Sequence, residues 1–203
     1  MIDHRTKSIF IHMPCTGGTS IESALLNDPS GGRSVDIKEK HINSLTAKII
    51  YKQYWNDYFK FSFVRNPWGR MLSMMKFRDK SLYGIKELDG KINLDEYLKI
   101  HPFIEVDPRA RNYSKNCYIK GSVYQNFLSE DLDFVGKFEN LQDDFNKVCR
   151  ELNIESKELP IINSSNYKTP IKNYFNERSN NQIRKMFEKD ILYYKYNEPW
   201  KNQ

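Results

Sequence analysis

Apolar positions along this chain fall into short blocks with two different periods. Residues 8–13 (SIFIHM), 59–64 (FKFSFV) and 133–138 (DFVGKF) are compact runs of the length expected for buried strands. Between them the period becomes helical. After 14–20 (PCTGGTS), Ile21, Ala24 and Leu25 share one face, and Glu22 falls in the first turn, where the helix dipole favours an acid. A second helix is predicted from Ser44 to about Tyr54. A third opens with Pro67 in its first turn and runs through Met71, Leu72 and Met75. Asn140 is placed to cap a helix whose apolar face is Leu141, Phe145, Val148, Cys149 and Leu152. A last amphipathic helix over 179–192 carries Ile183, Met186, Phe187 and Ile191. Residues 28–36, 80–92, 101–121 and 160–175 read as loops or irregular chain, with a short capped helix at 93–100.

Strands alternating with helices predict an α/β fold, a P-loop-like doubly wound sheet, mostly parallel, with helices on both faces. The 203 residues contain no internal repeat and no low-complexity tract, so a single domain over 1–203 is expected. Ligands in such folds sit beyond the carboxyl ends of the strands. The segments 14–20 and 65–70 both occupy that position.

Charge and cysteine content narrow the partners. Lys and Arg number 32 against 26 acidic residues, a net +6 that suits an anionic ligand. The lysines are spread along the chain and no RNA-binding signature occurs, which argues against nucleic acid. Cys15, Cys117 and Cys149 are widely spaced without a CxxC pair, so neither a disulfide framework nor a metal site is expected. No signal-peptide core and no run near 18 apolar residues occurs, and the expectation is a soluble, cytoplasmic protein without a membrane span. Nothing in the sequence marks an oligomeric state.

The first loop is built for an anion or is a plain strand-to-helix turn. A strand that ends in a Gly-containing turn and opens a helix aims several backbone N–H groups at one point. Gly17 and Gly18 permit close approach and positive φ, and Thr16, Thr19 and Ser20 bring hydroxyls. The loop is neither GxxxxGK[ST] nor GxGxxG. In the second segment, Arg65, Arg70 and Ser73 would converge at a helix start as a second anion site. The plainer alternative is an Arg on strand carbonyls and a Ser on a solvated face.

Taken together, the motifs resemble the sulfotransferase superfamily, in its membrane-anchored and bacterial carbohydrate branch. Pro14-Cys15-Thr16-Gly17-Gly18-Thr19-Ser20 is similar to the family's 5′-phosphosulfate loop. Arg65-Asn66-Pro67-Trp68-Gly69-Arg70-Met71-Leu72-Ser73 is similar to its 3′-phosphate site. Lys40-His41, Trp55 with Tyr58-Phe59-Lys60-Phe61, Val135 to Leu141 with Asp144-Phe145, and Leu159-Pro160 with Asn163 and Ser165 continue the likeness from about residue 8 to 196. The resemblance implies transfer of a sulfonate group from 3′-phosphoadenosine 5′-phosphosulfate to a hydroxyl or amine of a carbohydrate or small acceptor, in line and without a metal. It assigns the 5′-phosphosulfate to the loop from Cys15 to Ser20 and the 3′-phosphate to Arg65 and Ser73. Tyr167 or Lys168 would reach a phosphate from a segment closing over the nucleotide, and His41 would be the base that takes the acceptor's proton. His12, inside the first strand, is expected to be packed or on the sheet face.

Cys15 departs from the family pattern, which has Lys there against the leaving-group oxygen. Cysteine supplies no fixed positive charge. Three readings are open. Lys7, Lys40 or Lys168 substitutes; the backbone amides suffice in a slower enzyme; or the chain binds the nucleotide without catalysis.

Overall fold

The computed structural model describes residues 1–26, 40–81, 121–128, 132–164 and 170–201, with 76–81 as backbone alone. The chain forms two compact units, Met1–Arg65 with Phe127–Ser164, and Asn66–Asn126 with Ser165–Gln203.

The first unit holds a four-stranded sheet of order β1-β2-β3-β4. Its strands are β1 (Ile2–Asp3), β2 (Ser8–Ile11), β3 (Phe59–Val64) and β4 (Phe134–Lys137). The short β1 pairs antiparallel with β2, and the other pairs are parallel. The sheet is therefore mixed but mostly parallel, an α/β fold, as the alternating pattern predicts. Register sets the faces. Phe10 pairs with Phe61, and Phe61 with Phe134, so their rings stand in one row. Phe10 stacks on Phe61 at 5.0 Å between centroids. The same core takes Ile21 and Leu25 from α1 (Gly18–Leu26), and Phe145, Val148, Cys149 and Leu152 from the helix Leu141–Glu151 and its C-terminal end. Gly136 opposes Phe63, and a Cβ there would stand 2.4 Å from the Phe63 ring, so only glycine admits that aromatic. On the opposite face Ile9, Ile11, Ser62 and Val64 are also fully buried. Burial of both faces is what a central parallel strand requires.

Two helices of this unit differ from the sequence reading. The helix expected from Ser44 to about Tyr54 is α2, Ser44–Ile50, capped by Asn43 through its Oδ1 on the Thr46 amide. It stops early and passes into turns, with Tyr51 and Trp55 buried and Ile49 and Ile50 exposed. Asn140 makes no side-chain cap on the helix Leu141–Glu151. The chain runs from β4 through a 3₁₀ turn, Phe138–Asn140, directly into that helix. The junction is held instead by Asp144, whose carboxylate accepts the Lys137 amide at 2.8 Å.

The second unit contains α3 (Pro67–Ser81), the one-turn α4 (Tyr124–Phe127, whose last residue belongs to the first unit), a 3₁₀ turn at Ile171–Tyr174, α6 (Glu177–Met186) and α7 (Glu188–Tyr193), the helix Leu141–Glu151 of the first unit being α5 in chain order. Met71, Leu72 and Met75 are buried along α3, as their spacing predicts. Trp68 is buried too, its indole N–H donating to Asn180 Oδ1 at 2.7 Å. The single helix expected over 179–192 is two, broken at Phe187. The break serves Asp190, which is fully buried and accepts from Ser122 Oγ and from the Val123 and Tyr124 amides. Of the irregular stretch expected at 80–92, residues 80–81 instead belong to α3, and of that at 101–121 only Gly121 is described; the rest of both, the loop at 28–36, the short helix at 93–100 and Cys117 lie outside the described residues.

Candidate functional site

β2 and β3 are neighbouring parallel strands, with Ile11 level with Ser62. Their carboxyl ends therefore open side by side, and the loops that leave them start from one edge of the sheet. After β2 the backbone turns sharply. Cys15 has φ 66° and Gly17 φ 82°, while Thr16 between them keeps an ordinary negative φ. Alternation of this kind turns successive amides toward one side. The amides of Gly17, Gly18 and Thr19 make no hydrogen bond within the described residues, whereas those of Ser20 and Ile21 turn back to the Gly17 carbonyl at 3.0 and 3.3 Å. The result is a cluster of aligned donors at the positive end of α1.

Both glycines are required sterically. A Cβ on Gly17 would lie 2.7 Å from Leu141 and would face the penalty of positive φ as well. A Cβ on Gly18 would lie 2.3 Å from the His12 ring. Cys15 holds its left-handed backbone without glycine's freedom, at a cost of about 1–3 kcal/mol. Its thiol is half-buried and not in a disulfide. Thr16 is fully buried and its hydroxyl proton goes to the Met13 carbonyl at 2.8 Å, so it braces the turn from within. Thr19 is half-buried and Ser20 buried, in the first turn of α1.

Arg65 comes directly after β3 and reaches this loop. Its Nη1 donates to the Cys15 carbonyl at 3.3 Å, and its guanidinium lies 4.0 Å over the centre of the Phe138 ring. Phe138 thus holds the cation on one side while its edge approaches Gly17. A nest of amides beside a fixed guanidinium is an arrangement able to hold an anion.

His41 stands three residues before α2 and its Nδ1 lies 3.1 Å from the His12 carbonyl. A carbonyl only accepts, so Nδ1 carries a proton, and in the neutral ring the lone pair is on Nε2. The His41 ring meets the His12 ring edge to face at 4.4 Å. His12 in turn is packed against Gly18, as expected of a strand histidine, but it has a partner that no motif announces. Its Nδ1 donates to Glu22 Oε1 at 2.8 Å, and Lys40 Nζ stands 2.8 Å from Glu22 Oε2. Burial drives the His12 pKa down against the pull of Glu22, and the ring is neutral. Burial alone would raise that of Glu22, but the hydrogen bond from His12 and the Lys40 ammonium outweigh it and hold the carboxylate below its ordinary range. Glu22 is therefore the centre of a buried network, and since α1 starts at Gly18 it lies beyond the first turn in which the sequence reading put it.

Of the other expected residues, Ser73 and Arg70 lie on α3 in the second unit, both buried, and the Arg70 guanidinium is 5.5 Å from the Tyr124 ring centre. Tyr167 and Lys168 lie outside the described residues. Lys7 precedes β2 and its carbonyl accepts the Phe59 amide, at the far end of the strand from the loop. At ~3.3 Å per residue this separates it from Cys15 by more than its side chain spans. Among the described residues no group of three or more His, Cys, Asp or Glu could hold a metal ion, and no helix is long and apolar enough to cross a membrane.

A profile of the sulfotransferase family matches residues 1–197. Among solved structures, the crystal structure of mouse sulfotransferase SULT7A1 complexed with PAP is similar, with a TM-score of 0.52 and 14% identity over 94% of this chain and 86% of that one. At such identity the likeness is one of fold. No curated protein matches the sequence.

Proposed function

This chain belongs to the sulfotransferase family, and from that premise we propose that it moves a sulfonate group from 3′-phosphoadenosine 5′-phosphosulfate to a hydroxyl or amine of a carbohydrate or small acceptor. The observation that carries the proposal is the meeting of the two loops, Arg65 Nη1 on the Cys15 carbonyl at 3.3 Å. One nucleotide with an anion at each end needs two such loops side by side. The amides from Gly17 to Thr19, with the Thr19 and Ser20 hydroxyls, receive the 5′-phosphosulfate. Arg65 receives the 3′-phosphate; the phosphate contacts of Ser73 and of Tyr167 or Lys168 rest on the family likeness alone. The solved sulfotransferase of similar fold is itself complexed with PAP, in keeping with a donor of this kind.

In the transfer, the acceptor oxygen or nitrogen attacks sulfur while His41 Nε2 takes its proton. The bond between sulfur and the bridging phosphate oxygen breaks, and its electron pair stays on that oxygen. Charge grows there, where fixed N–H donors are worth most. Turnover of labelled donor over a panel of glycans and small hydroxylated compounds tests the proposal. His41→Ala should slow transfer by ~10²–10⁴-fold, the usual worth of a positioned base. Unchanged turnover would remove His41 from the reaction.

Cys15 supports a second reading, a protein that binds the nucleotide without turning it over. Lys40 is already engaged by Glu22, and Lys7 is at the wrong end of its strand. Cys15→Lys discriminates the two. If the missing charge is what limits the rate, this substitution raises turnover, by up to about 100-fold, the scale of one oxyanion contact.

A further inference from the structure

Resting on the reading of His41 as the base, we propose that Glu22 is a positioning residue that holds His41 through two straps, one from each oxygen of its carboxylate. The first strap runs from Oε1 to His12, whose Nδ1 lies at 2.8 Å. His12 then makes two contacts with the base. Its carbonyl accepts from His41 Nδ1 at 3.1 Å, and its ring forms the wall on which the His41 ring rests edge to face. The second strap runs from Oε2 to Lys40 Nζ at 2.8 Å, and Lys40 is covalently next to His41.

The chemistry of burial supports a task beyond filling the core. Glu22 is 1% exposed and His12 3% exposed. An ionised carboxylate in such a place is expensive unless fully partnered, and an apolar side chain of similar volume often serves stability as well or better. Here both partners lead to the same residue. The His12 ring also lies directly against Gly18, the first residue of α1.

The test is a double-mutant cycle on the full chain with labelled donor and any acceptor it turns over. Glu22→Gln and Lys40→Met are each made alone and with His41→Ala. Alone, each should lower kcat by about 10–100-fold, the cost of a base displaced by a fraction of an ångström to an ångström. The donor KM should stay within about twofold, because the straps do not touch the nucleotide. With His41→Ala in place, the same substitutions should change the residual rate by less than about twofold, since what they orient is gone. Losses repeated in full in the His41→Ala background, or losses taken in KM, would make Glu22 a structural residue and overturn the proposal. Normal turnover by His41→Ala alone overturns the reading of the base, and this proposal with it, before any strap is cut. Lys40 is partly exposed, so Lys40→Met keeps the cycle open should Glu22→Gln fail to fold. Ring nitrogen NMR gives a readout independent of turnover. His41 in the native chain should show the proton on Nδ1, and Lys40→Met should mix the two tautomers. A His41 signal unaffected by either substitution would refute the straps.

Discussion

His12 and Glu22 form a buried acid–imidazole pair whose protonation is fixed by folding. Both have pKa values lowered in the folded chain. A group with a depressed folded value contributes stability that is fully present above its unfolded value and drains away as the pH falls toward the folded one. For His12 the loss starts below the ordinary histidine value of 6.5. The thermal midpoint of the native chain should therefore fall faster than that of His12→Asn as the pH is lowered from neutrality past this point. Scanning calorimetry of the two proteins across the window checks it, and parallel midpoints would contradict a neutral buried imidazole. This pair is hard to see in the sequence. Ten positions separate His12 from Glu22, and first-turn placement offers Glu22 an ordinary explanation. Residue type marks Gly17 and Gly18 well, although for different reasons: Gly17 takes positive φ, whereas Gly18 does not and is fixed by the close approach of the His12 ring. The partner of a buried carboxylate is set by how α1 lies on the sheet, which no local spacing records.

At the level of elements, one-face burial dictates a period that locates α1, α3 and α5, and compact apolar runs locate β2, β3 and β4. It fails where a polar side chain decides the ending. The expected helix over 179–192 breaks at Phe187, and the break lets Asp190 gather the Ser122 hydroxyl and the amides of Val123 and Tyr124. Asp190→Ala should strand these buried donors and destabilise the chain by about 3 kcal/mol or more, while Asp190→Asn, which keeps one acceptor oxygen, should cost less. Denaturant midpoints measure both, and equal effects would show that the hydrogen bonds of Asp190 carry little of its weight. Asn140 gives the same lesson. A good capping residue is present, but Asp144 reaches back to the Lys137 amide and a 3₁₀ turn fills the place of the cap. The edge strand β1 leaves no signal because two residues have no period.

For the whole molecule, the fold matters to function through one topological fact, the parallel pairing of β2 with β3. That pairing brings two loops, each of modest meaning alone, to a common opening. Sequence motifs predict both loops, and the strand order starts them side by side. Nucleotide binding puts this to its most direct test. By calorimetry, 3′-phosphoadenosine 5′-phosphate should bind far more tightly than 5′-AMP, which lacks the 3′-phosphate. Arg65→Ala should weaken the former by ~1.5–3 kcal/mol, the worth of a charge-assisted hydrogen bond, and should barely alter the latter. Equal affinity for the two nucleotides, or no loss on removing Arg65, would contradict a shared site at the ends of β2 and β3.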